Sequence, residues 1–431
     1  MEIGIVGLGR MGAGMARRLA RAGTRVVGYD PANTLTEDRI ECVENLAALC
    51  ARLQGERVIV LSLPAGDAVE DTIRDLLPLC SAGDTIVDCG NSYYRDSKRR
   101  ALALSQQGLR YIDAGVSGGI HGLEHGYCLM LGGTAKSIEI FEPFAQRLAP
   151  GAERGWLHCG PSGAGHYAKM IHNGIEYAMM QAYAEGFALL SARKELDIDV
   201  GRLAETWRHG SVVRSWLLDL SADILKDETM AGIAPVVADS GEGRWTALES
   251  IELGVPTPAI TAALMSRFSS QGRSDYARRL LAADADRGWL HCGPSGAGHY
   301  AKMIHNGIEY GMMQALAEGF ALLAARRDLD IDPARLAETW RHGSVVRSWL
   351  LDLCAAILKD NESLEGVAPV IDDSGAGRWT ATEAIELGVP APVITTALMA
   401  RFSSQGRSDH ARKLIALMRA GFGGHVVHRK P

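Results

Sequence analysis

The sequence lacks both a long hydrophobic run and a surplus of positive charge. No stretch approaches the roughly 20 apolar residues that a membrane-spanning helix needs. The formal net charge is −6 over 431 residues, so no overall basic field attracts nucleic acid. We therefore expect neither a membrane nor a nucleic-acid partner, and the length suffices for two or three domains.

Paired-cysteine motifs are also absent. The eight cysteines include no C-x-x-C pair, and two of them occupy equivalent positions of a repeat described below. This usage predicts reduced, mostly buried thiols rather than a disulfide framework or a metal site. The N-terminus has an acidic residue at position two and several glycines within the first twelve residues, which is unlike a secretory signal peptide. We expect a cytoplasmic protein that uses no metal.

The first third of the chain alternates short apolar runs with segments of helical pattern. The predicted strands are Ile3–Val6, Arg25–Tyr29, Val58–Leu61, Thr85–Asp88, Arg110–Asp113 and Tyr127–Leu131. A helix is predicted after the first strand, over Met11–Ala22. Apolar runs of four or five residues separated by helix-length segments predict a parallel, doubly wound sheet.

A glycine-rich loop follows the first strand and opens the first helix. The stretch Gly7, Leu8, Gly9, Arg10, Met11, Gly12 fits G-x-G-x-x-G. Its glycines allow a tight turn, close approach of a pyrophosphate and close packing of the helix on the strand. Asp30, which ends the second strand, is placed to bond the adenosine ribose hydroxyls and to repel a 2′-phosphate. The loop therefore predicts a nicotinamide dinucleotide, NAD in preference to NADP, although Arg10 keeps NADP open.

The most informative feature of the organisation is a direct internal repeat. Residues 155–177 recur letter for letter at 288–310, an offset of 133. The match continues from 205–216 to 338–349. A period this long indicates a duplicated domain rather than a solenoid.

The repeat predicts a Rossmann-type α/β domain followed by two copies of an all-α helical domain. The predicted domains are 1–154, 155–286 and 287–431, with the acidic stretch 282–286 as the joint between the copies. The second copy has no glycine loop of its own. Whether the duplication is natural or engineered stays open.

Three polar residues of the first copy share one face of a predicted helix. Lys169, Asn173 and Glu176 are spaced i, i+4 and i+7. An amine, an amide and a carboxyl group on a common face can serve acid–base chemistry if burial or a neighbouring cation lowers the lysine pKa. From the spacing alone, a solvated helix face explains the pattern equally well.

Several stretches resemble motifs of the 6-phosphogluconate dehydrogenases, and they occur along the chain in the same order as in that family. Residues 164–177, A-G-H-Y-A-K-M-I-H-N-G-I-E-Y, resemble the signature of that family. The others are 88–96 (D-G-G-N-S, with Cys89 replacing a glycine), 116–119 (V-S-G-G), 241–246 (G-T-G-K-W-T, with arginine replacing lysine) and 419–425 (R-x-x-F-G-x-H). The G-L-G-R-M-G loop resembles the shorter, often NAD-using branch of the family.

The resemblance implies oxidative decarboxylation of 6-phosphogluconate to ribulose 5-phosphate and CO2, with reduction of NAD or NADP. It implies that Lys169 is the general base and later polarises the C3 ketone, and that Glu176 is the acid that protonates C1 of the enediol left after CO2 departs. Asn173 joins them as a catalytic residue, and Asn91 would bridge nicotinamide and substrate. The remaining substrate-binding residues would be Ser117, Gly118, Gly119 and His172 at the sugar-acid end, Tyr177, Arg244, Arg267 and Arg419 at the phosphate, and His425 closing the site.

The motif at 419–425, called the tail below, bears on whether a second subunit contributes to the site. In the family, this tail reaches into the active site of the other subunit, whereas here it occurs once, after the second copy. We expect the second copy to replace that subunit, packing on the first as an intramolecular pseudo-dimer and sending Arg419 and His425 into the site around Lys169. A further homodimer stays open. A silent second site would contain Lys302, Asn306 and Glu309.

Two other functions stay open. A β-hydroxyacid dehydrogenase of the 3-hydroxyisobutyrate type shares the glycine loop, the serine–glycine turn and the lysine. It has no need for Glu176 or for a phosphate-binding set of arginines. A non-catalytic dinucleotide-binding scaffold would use the duplicated helices for assembly, but the retained Lys169 and Glu176 argue against it.

Overall fold

The structure is a computed structural model that describes most of the chain up to residue 405. The residues outside the description are 33–34, 36, 227–233, 235, 239, 254, 272–296, 362–363, 373, 388 and 406–431. The predicted joint at 282–286 and the predicted site residues Arg419 and His425 therefore lie outside the described residues.

The N-terminal domain is built on one sheet of eight strands. They are β1 Glu2–Val6, β2 Arg25–Tyr29, β3 Ile40–Cys42, β4 Val58–Leu61, β5 Thr85–Asp88, β6 Arg110–Ser117, β7 Cys128–Gly132 and β8 Trp156–Gly160. Their order is β3-β2-β1-β4-β5-β6-β7-β8. The first six strands run parallel in the 3-2-1-4-5-6 order of doubly wound dinucleotide-binding domains.

The predicted parallel, doubly wound sheet is confirmed for the first six strands, and one predicted strand beyond them departs from it. β7 pairs antiparallel with β6, and β8 then pairs parallel with β7. The connection from β6 to β7 spans only 118–127, too short for the crossover of a dozen or more residues that a parallel neighbour needs. β8 lies beyond the predicted boundary at residue 154, so the sheet includes the first residues of the repeat. Neither β3 nor β8 was predicted from the sequence.

Helices cover both faces of this sheet. They are α1 Arg10–Arg21, α2 Leu46–Arg52, α3 Asp67–Leu76, α4 Tyr94–Ser105, α5 Gly122–His125 and α6 Ala135–Leu148. Short 3-10 turns occur at Leu77–Leu79 and Gly119–His121. Ile5 shares a buried cluster with Met15 of α1 on one face, and Ile59 shares another with Leu49 of α2 on the opposite face. Apolar residues on both faces explain the continuous apolar runs of the central strands.

The rest of the described chain is helical, and its two copies repeat the same order of elements. The first copy contains α7 Ala164–Ala192, α8 Val200–Trp207, α9 Trp216–Ile224, α10 Glu242–Leu253 and α11 Pro258–Ser270. The second contains α12 Ala297–Ala325, α13 Pro333–Trp340, α14 Trp349–Asp360, α15 Ala376–Leu387 and α16 Pro392–Ser404. The 3-10 turns Lys194–Leu196 and Arg327–Leu329 also correspond.

The two copies pack on each other mainly through their 29-residue helices, α7 and α12. A Cβ at Gly186 would lie 2.3 Å from Cδ1 of Ile308, and a Cβ at Gly319 would lie 2.3 Å from Cδ1 of Ile175. Each glycine thus admits the isoleucine of the other copy. Because the same contact occurs twice with the roles exchanged, the copies form the intramolecular pseudo-dimer that the sequence predicts.

Buried carboxylates exchanged between the copies reinforce this symmetry. Glu185 of α7 accepts hydrogen bonds from the backbone N–H groups of Val393 and Ile394, at 3.0 and 3.1 Å, in the first turn of α16. Glu318 of α12 makes the equivalent bonds, at 2.9 and 3.0 Å, to the first turn of α11. Each glutamate therefore satisfies helix N-terminal donors that no intrahelical carbonyl reaches. In the part of the chain that the structure describes, no helix is long and apolar enough to cross a membrane.

Candidate active site

The glycine loop between β1 and α1 forms a cradle that side chains would block. Gly7 has a φ of +91°, and a Cβ there would lie 2.3 Å from the carbonyl oxygen of Ser62. A Cβ at Gly12 would lie 1.9 Å from the carbonyl oxygen of Gly7. At Gly9, in contrast, no atom lies within 4 Å of a Cβ position, so the backbone is open to a ligand. This geometry fits a pyrophosphate at the N-terminus of α1.

A cavity of about 310 Å³ adjoins this loop, and Arg10, Met11 and Asn91 contribute to its walls. Asp30 directly follows β2, and its carboxylate accepts hydrogen bonds from the N–H groups of Leu8, at 2.7 Å, and Ala32, at 2.8 Å. Besides the predicted contact with a ribose, Asp30 therefore fixes the glycine loop itself. The structure thus brings the loop, Asp30 and Asn91 to one edge of the sheet.

Close backbone contacts fix the start of α7 against the sheet. A Cβ at Gly165 would lie 2.3 Å from the carbonyl oxygen of Asp113 in β6. The carboxylate of the same aspartate accepts a hydrogen bond of 2.9 Å from the N–H of His166. One turn further, a Cβ at Gly115 would lie 2.4 Å from the Cβ of Lys169. These glycines let α7 approach closely enough to hold the lysine beside β6.

The cleft between α7 and the N-terminal domain brings together the three predicted catalytic residues and five of the ten predicted substrate-binding residues. It encloses about 440 Å³. The residues of α7 that line it are Lys169, Asn173, Glu176 and Tyr177. The residues that line it from the N-terminal domain include Asn91, Ser117, Gly118 and Gly119. The spacing of Lys169, Asn173 and Glu176 therefore describes a cleft-facing surface rather than a solvated one.

Burial moves the pKa values of the two candidate proton-transfer groups in opposite directions. Desolvation lowers the pKa of Lys169, against the opposing effect of the Glu176 and Glu242 carboxylates. Desolvation raises the pKa of Glu176, against the effect of the Lys169 and Arg267 cations. Both changes bring the groups closer to the range in which a side chain can give and take protons near neutral pH.

His172 connects the catalytic face of α7 to the second helical copy. Its Nε2 lies 3.2 Å from the hydroxyl of Ser117 and 2.8 Å from the hydroxyl of Ser344. Its Nδ1 lies 3.1 Å from Oδ1 of Asn173 and 3.5 Å from Nζ of Lys169. Burial, together with the lysine charge, lowers the pKa of His172 well below its ordinary value. The imidazole is therefore neutral and acts as a hydrogen-bonding bridge.

Two groups of the site were missed by the sequence analysis. Glu242, buried at the start of α10, also lines the cleft. The sequence signal for this residue is the acidic position in G-E-G-R-W-T, where the family motif has a threonine. The other group is Ser344 and Val345 of the second copy, and the N–H of Val345 donates to Ser117 Oγ at 3.4 Å. No local pattern could have placed these residues in the site of the first copy.

The predicted phosphate-binding residues are only partly described. The guanidinium of Arg267 lies 3.6 Å from the ring centroid of Tyr177, whose hydroxyl is 3.4 Å from that of Ser240. Arg244 lies over the ring of Phe268 at 5.6 Å. Arg419 and His425 belong to the tail outside the described residues.

Comparison with known proteins places the chain in a family. The model of the NAD binding domain of 6-phosphogluconate dehydrogenase matches residues 2–159. The model of the C-terminal domain of 6-phosphogluconate dehydrogenase matches residues 165–285 and 298–428, which correspond to the two helical copies. The chain belongs to the 6-phosphogluconate dehydrogenase family.

Individual members of the 6-phosphogluconate dehydrogenase family support this placement over the whole chain. The NAD(+)-dependent, decarboxylating 6-phosphogluconate dehydrogenase of Bacillus subtilis (strain 168) is 31% identical over 463 aligned positions, which cover 99% of this chain and 97% of the relative. An enzyme of the same description from Haloferax volcanii is 41% identical over 286 residues, covering 65% of this chain and 94% of that protein.

A solved structure of the family extends the likeness to the fold. It is Plasmodium falciparum 6-phosphogluconate dehydrogenase, described in its apo form and in complex with its cofactor NADP+ and its substrate 6-phosphogluconate. The TM-score is 0.86 at 25% sequence identity, and the match covers 100% of this chain and 98% of that chain.

Proposed function

We propose that this protein oxidises and decarboxylates 6-phosphogluconate to ribulose 5-phosphate and CO2 with reduction of a nicotinamide dinucleotide. The observation that carries the proposal is the pair Lys169 and Glu176. They lie two turns apart on one face of α7, line one cleft, and have pKa values that burial moves in opposite directions. The family membership supports the same reaction.

Lys169 performs the first proton transfer. Its neutral amine removes the proton of the C3 hydroxyl, and when bound, the nicotinamide ring supplies the acceptor for the hydride of C3. The protonated amine of Lys169 then donates a hydrogen bond to the new C3 ketone. That bond stabilises the negative charge that develops on the oxygen as the C1–C2 bond breaks and CO2 leaves.

Glu176 completes the reaction. The bond electrons left at the former C2 form an enediol with C3, and the carboxyl group of Glu176 delivers a proton to that carbon to give the ketose. A carboxyl group whose pKa is raised by burial retains a proton to donate near neutral pH. Lys169 thus acts as the base before CO2 leaves, and Glu176 acts as the acid after it has left.

Hydrogen-bond donors around the cleft would hold the substrate. The sugar-acid end would contact Asn91, Ser117, Gly118, Gly119, His172 and Asn173. The phosphate would contact Tyr177, Arg244 and Arg267, with Arg419 and His425 completing the site from the tail. Motif positions support all of these roles, and the lining of the cleft also supports those of Asn91, Ser117, Gly118, Gly119, Asn173 and Tyr177.

For the cofactor we propose NAD rather than NADP. Asp30 presents a carboxylate beside the loop, which favours ribose hydroxyls and disfavours a 2′-phosphate. The residues that would hold the dinucleotide are Gly7, Leu8, Gly9, Arg10, Met11, Gly12, Asp30 and Asn91. Arg10 is the one loop cation that could attract a 2′-phosphate.

We further propose a division into the domains 1–154, 155–286 and 287–431, in which the first residues of the second segment add β8 to the sheet of the first. We also propose that the tail of the second copy completes the site of the first copy. The contacts of Ser344 and Val345 with that site support the second copy as a built-in partner. A chain truncated after Ala416 tests the tail. It should lose most of its affinity for 6-phosphogluconate and keep its affinity for the dinucleotide, and full activity after truncation would contradict the proposal.

The decisive experiment measures reduction of NAD and of NADP with 6-phosphogluconate, with Lys169→Ala as the control. We expect turnover in the intact protein and its loss in the variant. Turnover of 3-hydroxyisobutyrate in place of 6-phosphogluconate would favour the other hydroxyacid dehydrogenases. Dinucleotide binding without turnover of either acid would favour a non-catalytic scaffold.

A further inference from the structure

The second helical copy reproduces the geometry of the catalytic helix without a coenzyme domain of its own. In α12, Nζ of Lys302 lies 3.2 Å from Nδ1 of His305, and the same nitrogen of His305 lies 3.2 Å from Oδ1 of Asn306. The corresponding distances in α7 are 3.5 and 3.1 Å. The polar face of the first copy is therefore present a second time.

The groups that would bind a phosphate are reproduced as well. The guanidinium of Arg401 lies 3.6 Å from the ring centroid of Tyr310, the same separation as between Arg267 and Tyr177. The Tyr310 hydroxyl lies 3.3 Å from that of Ser374. Arg378 lies over the ring of Phe402 at 5.4 Å, as Arg244 lies over Phe268.

Two substitutions change the carboxylates near these cations. Glu242, which lines the catalytic cleft, corresponds to Ala376 in the second copy. Ala238, whose carbonyl oxygen accepts a hydrogen bond from Arg267, corresponds to Asp372. The second copy therefore loses one carboxylate and gains another, while all three equivalent cations are retained.

An open cavity gives access to Lys302 and Asn306 of the second copy. It encloses about 470 Å³, and its walls include Lys302, Asn306, Ala376 and Trp379. Trp379 is 62% exposed, whereas its counterpart in the first copy, Trp245, stacks on Tyr93 of the N-terminal domain at 5.0 Å. The cavity therefore occupies the face that the coenzyme domain covers in the first copy.

An ion pair across the copies forms one wall of this cavity. Arg193 of the first copy contacts Glu383 of α15 at 2.6 Å. These two charges compensate each other across the interface between the copies. The equivalent pair with the copies exchanged joins Arg326 of the second copy to Glu249 of the first, at 2.7 Å.

We propose that the second copy is a binding site for a sugar phosphate that it does not oxidise. The identity of the ligand rests on the proposed function, since the retained groups are those assigned to 6-phosphogluconate. Arg378, Arg401 and Tyr310 hold the phosphate, and Lys302 and Asn306 contact the hydroxylated chain. Oxidation does not occur there because the glycine loop and Asn91 belong to the domain that covers the first copy.

The test counts the 6-phosphogluconate molecules bound per chain by isothermal titration calorimetry, without a dinucleotide so that no turnover occurs. We expect two molecules per chain in the intact protein. Arg267→Ala and Arg401→Ala form a matched pair, since each removes the arginine that lies over the tyrosine of one copy. Each is expected to reduce the number to one, and Arg267→Ala alone is expected to abolish turnover with NAD.

A second variant guards against misfolding, because Arg401 is buried. Lys302 is exposed, so Lys302→Ala should fold normally and weaken the second binding event about tenfold or more, which corresponds to roughly 1.4 kcal/mol. A single binding event in the intact protein would overturn the proposal, and so would two events that persist in both second-copy variants. Turnover with one bound molecule would refute only the second site. Two bound molecules without turnover would refute only the proposed reaction.

Discussion

The imidazole of His172 in the first helical copy lies 2.8 Å from the hydroxyl of Ser344 in the second. The reciprocal contact joins His305 of the second copy to Ser211 of the first at 3.0 Å. Both histidines are buried, and each lies beside the lysine of its own copy. Because only the first copy adjoins the glycine loop, this symmetric pair of contacts has one member in the candidate active site and one outside it.

Removing the Ser344 hydroxyl should impair catalysis. Ser344→Ala deletes a hydrogen-bond partner of the buried His172 Nε2, which leaves the ring less firmly oriented between Lys169 and Asn173. We expect kcat/KM for 6-phosphogluconate to fall about tenfold, with Ser344→Thr recovering most of the loss. Steady-state kinetics of the two variants provides the measurement.

Ser211→Ala is the matched control, since it removes the same hydroxyl from His305. Its kcat/KM should stay close to that of the unchanged protein, while both alanine variants lose a similar amount of thermal stability. Equal kinetic losses in the two variants would mean that the serines act only through folding.

Removing the charge of Asp30 should change the choice of dinucleotide. In Asp30→Asn, the 2′-phosphate of NADP no longer meets a carboxylate, while the side-chain oxygen can still accept the hydrogen bond from Leu8. We expect the ratio of kcat/KM for NADP to that for NAD to rise about tenfold, a change of roughly 1.4 kcal/mol. Parallel assays with the two dinucleotides measure the ratio, and an unchanged ratio would assign the selectivity to other residues.

The pH dependence of turnover should report on the Lys169 and Glu176 pair. Turnover needs a neutral amine, whose fraction rises with pH, and a protonated carboxyl group, whose fraction falls with pH. The lowered pKa of Lys169 and the raised pKa of Glu176 bring these requirements together in a bell-shaped profile. Glu176→Gln should lower kcat and remove the alkaline decline. A decline that persists in this variant would have another origin.

Replacing Lys169 by arginine separates charge from basicity. Lys169→Arg keeps a cation in the cleft, but a guanidinium stays protonated and cannot act as a base. We expect NAD reduction to fall to background while dinucleotide binding, followed by fluorescence titration, is retained. Substantial turnover in this variant would remove Lys169 from its proposed role.

The contact between the copies should weaken as the pH rises. Burial raises the pKa of Glu185 and of Glu318 from about 4.5 to about 7, despite the backbone hydrogen bonds that each carboxylate accepts. A carboxyl group whose pKa is raised by folding stabilises the fold fully below its unfolded value, and this contribution is lost as the pH rises through the folded value. Thermal unfolding temperatures should therefore decrease between about pH 4.5 and 7 through these two groups.

The double variant Glu185→Gln, Glu318→Gln tests this account. It should be less stable overall, since an amide cannot accept from both backbone N–H groups of each helix as the carboxylate does. Its unfolding temperature should nevertheless vary less over this pH range. A variant that keeps the full pH dependence would assign that dependence to other groups.

Local sequence patterns correctly predicted the strands whose residues are all buried. Val58–Leu61 and the Ile86–Val87 centre of Thr85–Asp88 are apolar; both segments are fully buried and match β4 and β5 residue for residue. Trp156–Gly160 alternates buried and partly exposed positions at the edge of the sheet, and its sequence recurs within a repeat that otherwise reads as helical. Its place in the sheet depends on pairing with β7, a long-range contact that the local sequence does not record.

In the candidate site, too, local spacing could be predicted from the sequence, whereas long-range contacts could not. Helical spacing placed Lys169, Asn173 and Glu176 on one face, because residues three and four apart are neighbours on any helix. Ser344 reaches His172 from 172 positions away in sequence, through the packing of α7 on α12. Such a contact follows from the assembly of two domains, and the repeat indicated only that two domains exist.

The covalent link between the two copies bears on how the protein behaves at low concentration. When a residue is donated across an interface between separate chains, dilution below the dissociation constant removes it from the site. Ser344 belongs to the same chain as His172. The contact between them therefore depends on the effective concentration of a tethered domain, which dilution does not change. The link also allows the two copies to differ in sequence. A mutation in a homodimer appears in both subunits, whereas Glu242 and Ala376 differ at equivalent positions of one chain. Each half can therefore evolve its own ligand preference while the interface between them stays symmetric.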